Sequence, residues 1–224
     1  MKKIFLFILG FLWLSSTGQT NTWINPNPGA WSNAAAWSLG VPTSGHDVVI
    51  PPDAIVTVAS AAQAKTLTIA GGATLTLSNT LTLSEGGLWN TGAIVNWAGG
   101  SLTGSGNLLS SATVNLTTSS SKTINGGLVF QNSGTISFLD TGDLFMAHGT
   151  LTNLSGGTIL LPTVGADITF TGANPHLVSN QGTIRATAAG STTIGAKLLN
   201  QGTIQVESGS LIISHPNTQF EAGI

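Results

Sequence analysis

Five stretches of the chain are nearly the same: Asn90-Thr-Gly-Ala-Ile94, Asn132-Ser-Gly-Thr-Ile136, Ser155-Gly-Gly-Thr-Ile159, Asn180-Gln-Gly-Thr-Ile184 and Asn200-Gln-Gly-Thr-Ile204. Their isoleucines lie 42, 23, 25 and 20 residues apart, and Ser111-Ala-Thr-Val114 falls within the longest gap, its valine 20 residues after Ile94 and 22 before Ile136. A unit recurring about every 21 residues cannot bury an apolar face by itself; it buries one by stacking on its neighbours, which makes a solenoid.

The residues between the repeats say what kind of solenoid. Thr66-Leu-Thr-Ile69, Thr74-Leu-Thr-Leu77 and Thr80-Leu-Thr-Leu83 alternate threonine with an aliphatic residue, the two-residue period of a half-buried strand. Three such strands fit in one coil, with small residues at the corners. No stretch shows a 3.6-residue period, and only 6% of the residues are charged, which deprives helices of their usual surface. The expectation is an all-β chain, a single-stranded parallel β-helix of about 20–22 residues per coil, with parallel pairing between coils. In the motif, Asn and Gly are expected to form the corner through left-handed backbone angles, Thr to face solvent and Ile to face the core. The inward column is then Ile94, Val114, Ile136, Ile159, Ile184 and Ile204, with Trp89, Phe130, Leu151, Val178 and Leu199 forming a second column before each bend.

The ends differ from the middle. Met1-Lys2-Lys3 followed by the apolar run Ile4 to Leu14 and by Ser16-Thr17-Gly18 has the layout of a cleavable signal peptide over residues 1–18, the 11-residue run being too short for a membrane span. Without Lys2 and Lys3 the mature chain has four basic residues against eight acidic ones, a charge of −4, and that acidic balance speaks against nucleic acid as a partner. There is no cysteine, so an exported chain of this kind relies on burial and hydrogen bonding. Residues 19–52 hold Trp23, Trp31 and Trp37 and five of the eight prolines. They are expected to cap the stack, because a first coil leaves an open apolar end. The competing reading makes Trp31 and Trp37 a platform for a sugar ring. Residues 53–224 carry the repeats, and no capping segment is recognisable after Leu211-Ile-Ile213, so the repeats are expected to continue into further C-terminal domains.

Trp31-Ser-Asn-Ala-Ala-Ala-Trp37-Ser-Leu-Gly-Val-Pro42, followed by Asp47-Val-Val-Ile-Pro51, resembles the opening of large bacterial secreted and surface β-helix proteins, among them autotransporter-passenger-like adhesins and exported multidomain proteins of Bacteroidetes. The resemblance implies a secreted or cell-surface location, a structural or adhesive role, and partners among surface glycans or other surface proteins.

Few residues carry chemistry. Asp140-Thr-Gly-Asp143 is the one close acidic pair, a turn that could hold calcium weakly or be an ordinary Asp/Gly turn. His46, His148, His176 and His215 have no metal-ligand spacing, and there is no phosphate loop or nucleophile elbow. The Thr-x-Thr triplets do not recur at the coil spacing that a flat ice-binding array requires. No cofactor and no catalytic residue is expected, and the chain is read as a non-catalytic stalk or adhesin module. The alternative is the front of a carbohydrate-active β-helix enzyme or a carbohydrate-binding module.

Overall fold

A computed structural model describes residues 18–172 and 176–221, so the expected signal peptide lies almost wholly outside the described residues. Every third strand pairs with the same face, and the result is three parallel sheets of 10, 9 and 8 strands running the length of the stack. The first face begins with Gln19–Thr22, His46–Ile50 and Thr66–Ile69, the second with Gly29–Ala30, Ile55–Val58 and Thr74–Leu77, and the third with Ala62–Ala64 and Leu81–Leu83. Among the described residues the only helical turn is the 3₁₀ segment Ala34–Ala36. Ten rungs about 4.8 Å apart make a rod about 43 Å long. Because each strand pairs with neighbours roughly one coil before and after it, its backbone groups are satisfied by the stack itself.

The strands repeat the same alternation. Thr66–Ile69, Thr74–Leu77 and Leu81–Leu83 bury each aliphatic residue and leave each threonine half-exposed. The buried set is one continuous core from Trp23 to Leu198, with Ile204, Leu211 and Ile213 packed against its end. Residues 19–52 enter this stack directly: Gln19–Thr22 pairs with His46–Ile50, and Gly29–Ala30 pairs with Ile55–Val58. Where a first strand of the third face would stand, the chain instead gathers Trp23, Trp31 and Trp37 edge to face, with ring centroids 5.0 and 4.9 Å apart.

The second face corrects one member of the expected inward column. Val95, Val114, Ile136, Ile159, Ile184 and Ile204 are in register, whereas Ile94 pairs with Thr113 and is 40% exposed. The cause is corner length. From Trp89 to Ile94 the chain spends four residues on the bend, and Gly92 there has φ 84°; from Asn132 to Thr135 it spends two. The look-alike Asn90-Thr-Gly-Ala-Ile94 is therefore a different corner, one residue out of step, and a one-residue slip in a strand exchanges its faces. The second column is corrected likewise. Phe130, Leu151 and Val178 align, but Leu198 and not Leu199 continues them, and Trp89 stands in register with Ser110 and Asn132.

The asparagines are not left-handed corner residues. Asn132, Asn153, Asn180 and Asn200 end strands of the first face, in register and buried, and they form a ladder of side-chain amides. Asn132 Nδ2 donates to Asn153 Oδ1 (2.8 Å), Asn153 Nδ2 to Asn180 Oδ1 (2.8 Å), and Asn180 Nδ2 to Asn200 Oδ1 (2.7 Å). Each amide also caps a corner, as when Asn153 donates to Gly157 O and to Thr183 O, both 3.1 Å away. Of the expected corner glycines, Gly134, Gly182 and Gly202 have no positive φ; they are glycine because a methyl group would collide with a carbonyl of the coil before, Ala112 O in the case of Gly134.

Candidate functional site

The aromatic pair that the competing reading made a sugar platform is inside the molecule. Trp31 and Trp37 are 2% and 3% exposed, and Trp37 Nε1 donates to Trp31 O at 2.8 Å. Their faces pack on each other and on Trp23, so they have none free to stack on a pyranose ring. Beside this cluster lies a groove of about 310 Å³ lined by Trp23, Ile24, Asn25, Pro26, Pro51 and Asp53. Asp53 holds a left-handed φ of 63°, uncommon for a residue with a side chain, and Ile24 is exposed at the rim. Sequence reasoning missed this groove because its two lips, Trp23 to Pro26 and Pro51 to Ala54, are some 25 residues apart, the second spanning the junction of the capping segment and the repeats.

Asp140 and Asp143 flank a turn that a lysine ammonium approaches at Gly142. Lys122 starts a strand of the third face, is fully buried, and donates from Nζ to Thr118 O at 2.6 Å, lying against Gly142. Burial pushes its ammonium pKa down, while the negative charges of Asp140 and Asp143 push it back up. Asp143 Oδ1 accepts from the backbone N–H of Asp167 at 3.0 Å, and Asp140 Oδ1 accepts from that of Thr141 at 2.7 Å. A calcium ion placed there would meet a nearby ammonium of like charge and carboxylates that already cap backbone groups. Among the described residues no three His, Asp or Glu side chains gather as metal ligands do.

The stack brings together one pair that the sequence separates by 39 residues. His176 Nε2 and His215 Nε2 are 3.4 Å apart, and Phe170 stacks on the His176 ring with centroids 4.3 Å apart and planes 8° from parallel. Burial lowers the pKa of His176 below the ordinary imidazole value, and the charges of His215 and Lys197 add to the shift. Each histidine follows a third-face strand, Ile168–Phe170 and Ser210–Ile213, two coils apart. No spacing rule for metal or catalytic histidines covers that separation.

On the outside, Thr113, Thr135, Thr158, Thr183 and Thr203 stand in register along the second face, one per coil. The neighbouring column is mixed, running Asn115, the buried Ser137, Leu160, Arg185 and Gln205, so the face is not a regular threonine plane. Arg185 and Glu207 form a two-pronged ion pair on this side, at 2.6 and 2.9 Å. Comparison with protein-family models, with curated proteins and with solved structures finds no match for this chain.

Proposed function

We propose that the chain is a non-catalytic, exported surface module: a rigid stalk or adhesin segment that carries a Ser/Thr/Asn-rich face. The observation that carries this reading is the uninterrupted parallel pairing of the first face over ten strands, locked in its second half by the asparagine ladder. Such a stack resists bending because moving one coil breaks hydrogen bonds on three faces at once. Its working surface is the outer threonine column and the polar residues beside it, chemistry suited to surface glycans or to other surface proteins.

The signal-like leader and the small number of charges support export and a place on the cell surface. Protease treatment of intact cells carrying an epitope tag after Ser155 tests the location. Loss of the tag without lysis is expected, and a tag protected until lysis overturns it.

The groove beside Trp23 favours a second reading, a carbohydrate-binding role. Glycan-array binding by the purified chain, abolished by Asp53→Ala with the fold intact, would establish that reading over the stalk. Hydrolysis or elimination of a polysaccharide by the same protein would overturn the non-catalytic proposal.

A further inference from the structure

The His176–His215 pair has its protons fixed by its surroundings. The backbone N–H of Asn217 donates to His215 Nδ1 at 3.2 Å, so this nitrogen is the bare one and the ring carries its proton on Nε2. That N–H faces His176 Nε2 across 3.4 Å, which makes His176 Nε2 the acceptor and puts its own proton on Nδ1. His176 is 4% exposed, and its Nδ1 has no partner among the described residues. The neutral pair thus has one self-consistent arrangement.

The acid form has none. A proton added to His176 enters at Nε2 and sets two N–H groups head to head, and turning the His215 proton over to Nδ1 to relieve this opposes the N–H of Asn217. The charged group acting on His176 besides its partner ring is Lys197, a cation on the intervening coil, and the other close neighbour is the apolar ring of Phe170. Neither stabilises an imidazolium by ion pairing.

The pair joins coils that do not otherwise pair. The third-face strand of the intervening coil, Ser191–Ile194, is followed by Gly195 and Ala196, and Gly195 sits between Thr169 of the coil before and Ser214 of the coil after. These small residues let the two imidazoles meet across the corner.

We infer that His176 and His215 form an acid-labile clasp between two coils, closed while the His176 ring is neutral and opened when it takes a proton. Opening loosens the corner around Phe170, Lys197 and His215 while the coils before it keep their ladder, so acid changes the surface of one end of the rod only. An exported module carrying this clasp has an end that responds to acidification of its surroundings.

The test uses the full chain. Long-range proton–nitrogen correlation at pH 7.5 is expected to show His215 protonated on Nε2 and His176 on Nδ1; the opposite assignment overturns the clasp. Amide exchange, corrected for its intrinsic pH dependence, is expected to speed up by about tenfold or more between pH 7.5 and 5.0 at residues 168–172, 194–200 and 213–218, and to stay level at residues 66–100. His176→Phe is expected to abolish that difference, and His215→Gln, which still offers a donor to His176, to reduce it. Acceleration that persists in His176→Phe, an even change along the whole rod, or no change overturns the proposal. Saturable zinc binding at pH 7.5 that disappears in His215→Gln would mean that both Nε2 atoms are free to ligate, and would overturn it too.

Discussion

At the scale of single residues, neighbouring positions with similar side chains carry opposite loads. Ile94 and Val95 are both aliphatic, yet only Val95 is in the core. Val95→Thr puts a hydroxyl among apolar side chains and is expected to cost about 1–3 kcal/mol, while Ile94→Thr extends the outer threonine column at little cost. Chemical denaturation of the two variants distinguishes them, and equal midpoints would return Ile94 to the core.

Asn153 is more demanding, since its amide donates to Asn180, Gly157 and Thr183 and accepts from Asn132. Asn153→Ala leaves several buried groups without partners and is expected to lower stability by about 2–4 kcal/mol in the same assay. The ladder also stops short. Ser110 is in register with Asn132, and both Ser110 Oγ and Asn132 Oδ1 lack partners among the described residues. Ser110→Asn supplies the missing donor and is expected to raise the unfolding midpoint, by about 1 kcal/mol.

At the scale of corners and strands, two kinds of bend share one stack. The longer bend through Gly92 turns with a left-handed residue, and the short bend through Gly134 lets two backbones touch. Gly134→Ala is expected to be destabilising by more than the usual conformational gain of alanine over glycine, because the methyl group meets Ala112 O. A circular-dichroism melt of that variant at or above the wild-type temperature would contradict the contact.

The third-face strand that starts at Lys122 sets a different expectation. With the ammonium lying against the Asp140–Asp143 turn, millimolar calcium is expected to leave the melting temperature unchanged. A rise of several degrees, lost in Asp143→Asn, would restore the calcium reading of those residues.

At the scale of the whole molecule, stability depends on pH through His176, the one buried imidazole with a lowered pKa among the described residues. A group whose folded pKa is depressed contributes fully above its unfolded value, about 6.5, and loses that contribution as pH falls below this value and through the lower folded pKa. Thermal melts are therefore expected to reach lower temperatures at pH 5.5 than at pH 7.5, and His176→Phe to flatten the difference. A wild-type curve that is flat over this range would mean that His176 stays accessible to solvent when protonated.

Alternation and the period near 21 residues determined the class of fold, because burying one side of a short strand and stacking the next coil on it leaves few other solutions. The sequence also marked Val114, Ile136, Ile159 and Ile184 as inward, since their corners have the length the motif implies or keep its register. Tertiary structure decided the rest. Whether Asn90-Thr-Gly-Ala-Ile94 begins its strand in step depends on where the coil beneath places its carbonyls, and a local motif does not contain that. Whether an asparagine turns the chain or bridges coils depends on a partner some 20–27 residues away. The encounters of His176 with His215 and of Lys122 with the Asp140–Asp143 turn likewise arise only when coils stack, because stacking sets distance along the rod by coil number and not by sequence separation.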